Sequence, residues 1–341
     1  MYLIEPIRNG KYIPDGALVL AMQVYVLNNL NLDDTIIFPY YCEPKVEIGL
    51  FQNAEVEINH DYMKEHNVQL VRRDTGGGAI YVDKGAVNVC FLMPAESGIY
   101  GNFKKFYEPA VKLLHGLGAT EVEQSGRNDL TANGKKVSGA AMTMVGDKIY
   151  GGYSLLVDVD YDAMVSVLNP NRKKIDSKGI QSVRQRVMGM RELFSPEYQN
   201  ITIDEFKDYV ICSLMGIDSI EQANRYELTE EDWAAIDELT NSKYKNWDWN
   251  YGKSTRYNYS RDARVEGVGT IDITLEVNEG RIEKCKIYGD FFAKGNIKDV
   301  EETLVGIRVK EEELSTSLEK LDLKQYFGPI EVKQLVDLIL S

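Results

Sequence analysis

The pattern of apolar and polar positions recurs at helical spacing over residues 15–30, through Leu18, Met22, Tyr25, Val26 and Asn29, just after Pro14. This predicts a first helix. Two strands, 35–40 and 45–51, flank a turn at Glu43-Pro44, and 56–66 reads as helical. A strand over 68–72 leads into a glycine run, and an apolar strand over 88–93 ends at Pro94. Next, Phe103, Phe106, Tyr107, Ala110, Leu113, Leu114 and Leu117 share one face, but Pro109 lies among them. That segment is either a helix starting near Glu108 or a kinked one.

Residues 120–158 alternate as β-structure. Turns at Ala132-Asn133-Gly134 and Val145-Gly146-Asp147 read as hairpin connections. The first places Asp129 and Lys136 on strands, or strand ends, that fold back toward one another. Helices follow over 162–168, 202–215 and 229–241. Thr202 with Glu205 forms a capping box, and Thr229 with Asp232 a near version of one. Around 246–260 the chain turns rich in Trp, Tyr, Asn and Gly, which reads as a linker with its tryptophans packed at a domain junction. A hairpin over 271–277 and 281–287 then turns at Asn278-Glu279-Gly280. The last helix carries Val332, Leu335, Val336, Ile339 and Leu340 on one stripe. The expected fold is α/β (α+β): a large domain, 1–246, with a mixed, mainly antiparallel sheet flanked by helices, a linker, 247–260, and a small α+β domain, 261–341. No internal repeat is visible.

A length of 341 residues suits two domains. At 44% hydrophobic and 27% charged the chain reads as soluble and globular. A net charge of −14 argues against a general nucleic-acid binder. It also means that an anionic ligand must be held by local arginines and lysines. The N-terminus has no signal-peptide pattern and no apolar run approaches a membrane span. Cys42, Cys90, Cys212 and Cys285 lack CxxC spacing. Reduced thiols, a cytoplasmic location and no structural zinc site are therefore expected.

The candidate chemistry centres on Val71-Arg72-Arg73-Asp74-Thr75-Gly76-Gly77-Gly78-Ala79-Ile80-Tyr81-Val82-Asp83. Three glycines free φ and bare the main chain, so N–H groups can turn toward an anion or a flat apolar ligand can lie against backbone. On a strand the two arginines point to opposite faces, so only one would face a ligand. Taken alone, a glycine run beside arginines is more often a tight hairpin than an anion site. Phosphoryl or adenylyl transfer needs cations, N–H donors and magnesium on oxygen ligands. Arg72 or Arg73, Lys136, Arg184 and the pair Asn128-Asp129 would supply them. On the plainer alternative Asn128-Asp129 is a turn and Lys136 a solvated strand lysine. None of His60, His66 and His115 lies in these blocks, so a histidine base is not favoured.

Three blocks in order carry a more specific signal: the glycine stretch; Ser125-Gly126-Arg127-Asn128-Asp129-Leu130 with Asn133-Gly134-Lys135-Lys136-Val137-Ser138-Gly139; and Leu168-Asn169-Pro170-Asn171-Arg172-Lys173-Lys174 with Lys178-Gly179-Ile180-Gln181-Ser182-Val183-Arg184. Together they resemble the lipoate–protein ligase family, related to the biotin ligases, most strongly over 72–186. The resemblance implies that 1–246 is a catalytic domain binding lipoate and ATP, and that 261–341 is an accessory domain. It implies activation of lipoate by ATP and Mg²⁺ to lipoyl-AMP, then transfer to a lysine of a lipoyl carrier domain. The carriers implied are 2-oxoacid dehydrogenase E2 subunits and the glycine cleavage H protein. It also implies a catalytic Lys136, with Arg72, Arg73, Gly76, Gly77, Gly78, Asn88, Asn128, Asp129 and Arg184 at the ligands and Asn128 and Asp129 beside magnesium. Two family histidine elements are absent, at Val82 and at Gly151-Gly152-Tyr153, which leaves acyl preference open. An ATP-independent acyltransferase of the same fold and a non-catalytic lipoate-binding protein are the alternatives. Pyrophosphate release separates them from a ligase.

Overall fold

The computed structural model describes residues 1–30, 32–168, 185–251, 259–278 and 280–340. It divides into two compact units. The first comprises Met1–Glu47, Val56–Val71 and Ile80–Asn250, and the second Ile48–Glu55, Arg72–Ala79 and Tyr251–Ser341. Two short segments thus pack with the C-terminal part of the chain although their sequence position is N-terminal.

The first unit opens with short strands β1 (Tyr2–Leu3), β2 (Ile7–Arg8) and β3 (Lys11–Tyr12), then helix α1 (Gly16–Asn29). Asp15 caps α1 by accepting from the N–H groups of Ala17 and Leu18. The helix is apolar nearly all round and almost wholly buried, as such helices must be. Strands β4 (Ile36–Tyr40) and β5 (Lys45–Ile48) follow. The helix expected over 56–66 is instead two short ones, α2 (Ala54–Glu57) and α3 (His60–Glu65). The break lies at Ile58-Asn59, where Ile58 bridges to Leu168 and Asn59 turns to cap α3.

Strands β6 (Gln69–Arg72), β7 (Ile80–Val82) and β8 (Ala86–Pro94) come next, then α4 (Phe103–Gly116). Pro109 sits inside this single helix. The carbonyl it fails to bond is that of Lys105, an exposed residue. Strands β9 (Glu123–Ser125), β10 (Asp129–Ala132), β11 (Lys135–Val145) and β12 (Lys148–Leu156) precede α5 (Tyr161–Val167), α6 (Ile203–Met215), α7 (Glu230–Leu239) and α8 (Trp247–Asn250). Both expected capping boxes, at Thr202 and Thr229, are formed.

The main sheet has the order β1-β4-β8-β12-β11-β10-β9. Only β1 with β4 is parallel, so the sheet is mixed and mainly antiparallel. One face packs Val87, Val89, Phe91, Tyr153 and Leu155 against α4 and α6. Part of the other face is covered by α1 and α7, over Phe38, Cys90, Leu92 and Tyr150. A second sheet, β6-β5-β7, lies over the remainder through Val82, which packs with Tyr40, Cys42, Ala86 and Leu156.

In the second unit, β13 (Tyr259–Val265), β14 (Gly269–Asn278) and β15 (Arg281–Gly289) form an antiparallel sheet. The hairpin of β14 and β15 is the expected one. The added strand β13 has side chains half-buried on one face and exposed on the other. Helices α9 (Ile297–Leu304), α10 (Glu311–Leu318), α11 (Lys324–Phe327) and α12 (Val332–Leu340) close its core. Among the described residues no helix is long and apolar enough to cross a membrane.

Candidate active site

The first unit brings Lys136 and Asp129 together. Asn133 (φ 51°) and Gly134 (φ 74°) both take the left-handed conformation that a two-residue hairpin needs. This folds β11 back on β10. Leu130 faces Ser138 while Thr131 faces Lys136, so Val137 is an extra residue in the ladder. The bulge puts Lys136 on the face that carries Asp129 and Gly139. Lys136 Nζ lies 2.8 Å from Asp129 Oδ1. The lysine side chain lies over Gly139, where a Cβ would come within 2.8 Å of Nζ and 2.9 Å of Cε. The backbone of Lys136 is gripped on its other edge by the 187–188 segment: Met188 N–H donates to the Lys136 carbonyl at 3.0 Å. Both side chains remain about a third exposed, 37% and 35%, so the pair adds little to stability and the ammonium stays accessible.

Asn128 is fixed from three sides. Its Nδ2 donates to the Ala140 carbonyl at 2.6 Å, and its carbonyl accepts from Ala140 N–H and from Tyr107 Oη. Ser138, wholly buried, donates in turn to Tyr107 Oη. Sequence reasoning missed Tyr107 and Ser138 as supports because each looks like an ordinary core residue. Gly139 lies in the same sequence block as Lys136, and only the fold shows that it makes room for the lysine side chain.

A row of side chains crosses the sheet from this corner. Asp129, Gly139, Ser154, Asn88 and Tyr40 stand opposite one another on β10, β11, β12, β8 and β4. At the usual interstrand spacing the row spans roughly 19 Å. Its middle is floored by small, partly exposed residues, Gly139, Ala141, Gly152 and Ser154. Such a floor leaves depth for an elongated ligand. Asn88 is 6% exposed, and its Nδ2 has no hydrogen-bond partner among the described residues. A buried amide donor left unpaired is costly in the fold alone.

The glycine segment belongs to the second unit. Arg72 and Arg73 are both buried. Arg72 Nη1 donates to the carbonyls of Gly49, Leu50 and Gln52, and burial pushes its guanidinium down to about 10. Arg73 donates to Thr75 Oγ1 and to the carbonyls of Gly76 and Gly78. The arginines thus brace main chain within the loop. A Cβ at Gly76 would meet the Phe291 carbonyl oxygen at 2.2 Å. One at Gly77 (φ +99°) would meet Arg73 Nη2 at 2.8 Å. Gly78 is exposed, and a Cβ there meets nothing within 4 Å. Arg184 and the rest of 169–184 lie outside the described residues.

No described group of three or more His, Cys, Asp or Glu side chains could hold a metal by itself. Asp129 Oδ1 is shielded from solvent beside Asn128. One carboxylate with an amide neighbour suits magnesium, which usually takes one or two protein oxygens plus substrate phosphates. The thiols are not activated. Burial pushes Cys42 up to about 11 and raises Cys90, Cys212 and Cys285 as well. His66 stacks on Tyr62, and His115 Nε2 lies 2.7 Å from the Val122 carbonyl, away from this corner.

A mixed sheet with a lysine–aspartate corner and a separate small α+β unit suits a two-domain acid–protein ligase. The model of the lipoyl protein ligase A/B catalytic domain matches residues 15–215, and that of the bacterial lipoate protein ligase C-terminus matches 254–339. The chain belongs to the lipoate–protein ligase family. It is 61% identical to lipoate–protein ligase 2 of Staphylococcus aureus and 60% identical to a lipoate–protein ligase of Streptococcus pyogenes, each over 100% of both chains. Among solved structures, Plasmodium falciparum LipL1 in complex with lipoate shares the fold (TM-score 0.74, 22% identity, 100% of this chain and 97% of that one). The bi-partite lipoate protein ligase of Thermoplasma acidophilum, described with its E2 lipoyl domain, aligns at TM-score 0.62 and 28% identity, covering 76% and 98%. A lipoate-protein ligase A bound with ATP aligns at TM-score 0.58 and 27% identity, covering 74% and 97%.

Proposed function

We propose that the chain activates lipoate with MgATP to lipoyl-AMP and transfers the lipoyl group to a lysine of a lipoyl carrier domain. The Lys136–Asp129 corner at one end of the small-residue floor carries the reading. An acid lying along the floor presents its carboxylate to Lys136. One carboxylate oxygen attacks the α-phosphorus, the bond to the bridging oxygen breaks, and pyrophosphate leaves. Lys136 Nζ offsets the repulsion of two approaching anions and aligns the reacting oxygens. The carrier amine then attacks the acyl carbon, forming the amide as AMP departs. Asp129 and Asn128 would hold magnesium, which supplies neutralisation of phosphate charge when bound. Gly139 keeps the space that Lys136 occupies, and the Tyr107–Ser138 support holds Asn128.

Arg72 and Arg73 hold the glycine segment, whose exposed member Gly78 is the one we assign to ligand. Residues 1–246 form the catalytic domain, 247–260 the linker and 261–341 the accessory domain. The carriers are 2-oxoacid dehydrogenase E2 subunits and the glycine cleavage H protein, and the enzyme works in the cytoplasm. Pyrophosphate release with MgATP and a panel of lipoate, octanoate and biotin tests the reading. Release with lipoate, followed by a lipoyl mass increase on a carrier domain, is expected. Carrier acylation without pyrophosphate release would replace the ligase by an acyltransferase.

A further inference from the structure

One buried ion pair plays no part in the chemistry above. Lys45 and Glu47 lie two apart on β5 and therefore point to the same side. Lys45 Nζ is 2.6 Å from Glu47 Oε2, and both side chains are buried, Lys45 completely. Their partners across the covering sheet are Val82 and Ile80. Val82 belongs to the same packed cluster as Tyr40, so this side of β5 looks toward the Tyr40 end of the floor. Lys45 Nζ stands 5.2 Å from the Tyr40 ring centroid, and Glu47 acts electrostatically on the Cys90 thiol. Tyr40 faces Asn88, and Cys90 follows Asn88 two residues on along the same face. Gly16, at the start of α1, makes the room: a Cβ there would lie 2.4 Å from Lys45 Cδ.

The pair therefore stands at the end of the floor opposite Lys136. A desolvated ion pair seldom stabilises a fold more than apolar side chains of equal volume would. Its presence here, at the Tyr40 end where Asn88 also stands, gives the far end of the trough a polar character.

We propose that Lys45 and Glu47 form the blind end of the acyl trough and set specificity for the distal end of the acid. They favour medium-chain acids that end in a polar or polarisable group over those that end in bare alkyl. The inference rests on the acid-activating reading above. A bare alkyl end seals the pair and the Asn88 amide away from water and offers them nothing. A dithiolane or hydroxyl end supplies a polarisable or hydrogen-bonding atom.

The test compares kcat/KM for pyrophosphate release with lipoate, octanoate and ω-hydroxyoctanoate. The wild type should use ω-hydroxyoctanoate at least as well as octanoate, whereas an apolar pocket would disfavour the added hydroxyl by up to about 10²-fold. The double variant Lys45→Met with Glu47→Leu removes both charges of the pair together. It should shift the octanoate-to-ω-hydroxyoctanoate ratio about tenfold toward octanoate, through KM rather than kcat. Strong rejection of ω-hydroxyoctanoate by the wild type, or unchanged ratios in a folded double variant, would overturn the proposal while leaving the ligase intact. If the double variant does not fold, the wild-type comparison decides alone. A wild type that releases no pyrophosphate with any acid removes the ligase reading, and this inference with it.

Discussion

Lys136 and Gly139 are three residues apart on one strand yet share a face, because Val137 bulges out of the ladder between them. The lysine side chain lies where a Cβ of residue 139 would be. Its charged end is flexible, so Gly139→Ala should fold and push the ammonium aside. A displacement of about 1 Å at a reacting centre can cost roughly 10²-fold. A loss of about 10–10²-fold in pyrophosphate release, with the melting temperature little changed, is expected. Wild-type rates would mean that the ammonium need not lie over Gly139.

Removing the ammonium altogether should cost more. Lys136→Ala should lose about 10²–10³ in rate, as when a preorganised charge is deleted from a transition state. Lys135 pairs with Ala132 on the hairpin, one position away and on the opposite face. Lys135→Ala should stay near wild type. Measuring both half-reactions, adenylate formation and transfer from supplied lipoyl-AMP, gives the check. A dead Lys135→Ala beside an active Lys136→Ala would reverse the assignment.

The glycine segment separates support from ligand contact. Gly77 holds φ +99° against Arg73, so Gly77→Val should destabilise the fold and say nothing about ligand. Gly78 has open space for a methyl group. Gly78→Ala should keep the melting temperature and raise the apparent KM for lipoate or ATP severalfold, about 3–10-fold as for a small misfit. Unchanged constants would leave the segment purely structural.

No thiol should carry the acyl group. Cys42, Cys90, Cys212 and Cys285, replaced singly by serine, should keep turnover wherever the variant folds. The buried sites, above all Cys90 between α1 and the sheet, should lose stability because a hydroxyl is more polar than a thiol. A trapped thioester on any one of them, detected by mass, would contradict this.

Asp272 stands directly across from Asp262 in the second unit. Burial, reinforced by repulsion from Asp262, pushes its carboxyl up from 3.8 to about 6. The folded state thus holds the proton more tightly than the unfolded chain. The stability this contributes is full below about pH 4 and is lost as pH rises through about 6. Asp272→Asn should raise the melting temperature at pH 7 and flatten its change between pH 4 and 7. Thermal melts across that range measure it; identical slopes for variant and wild type would refute it.

Local chemistry was well written in the sequence. Asn133-Gly134 is one of few dipeptides that tolerate two left-handed residues, so the hairpin joining Asp129 to Lys136 was visible. The capping boxes at Thr202 and Thr229 were equally plain. The bulge was not, since Val137 looks like any strand residue and only the register betrays it. Nor was the role of Arg72 and Arg73: arginines beside glycines suggest an anion, and here they grip carbonyls. Lys45 and Glu47 look like charges on an exposed strand face, because sequence alone does not show that a helix beginning with glycine covers them. Strand β13 was missed because it directly follows aromatic-rich linker composition and has only one half-buried face.

The stacking of Phe51 on Phe291, at 4.8 Å between centroids, bears on how the chain is made. These residues lie near opposite ends of the sequence, and Gly289 N–H also donates to the Phe51 carbonyl. During synthesis the 48–55 and 72–79 segments leave the ribosome long before their packing partners exist. They must wait, with the Phe51 ring unsheltered, until the last quarter of the chain arrives. Completion of the second unit is thereby tied to the end of translation, and long-range closure of this kind is slow.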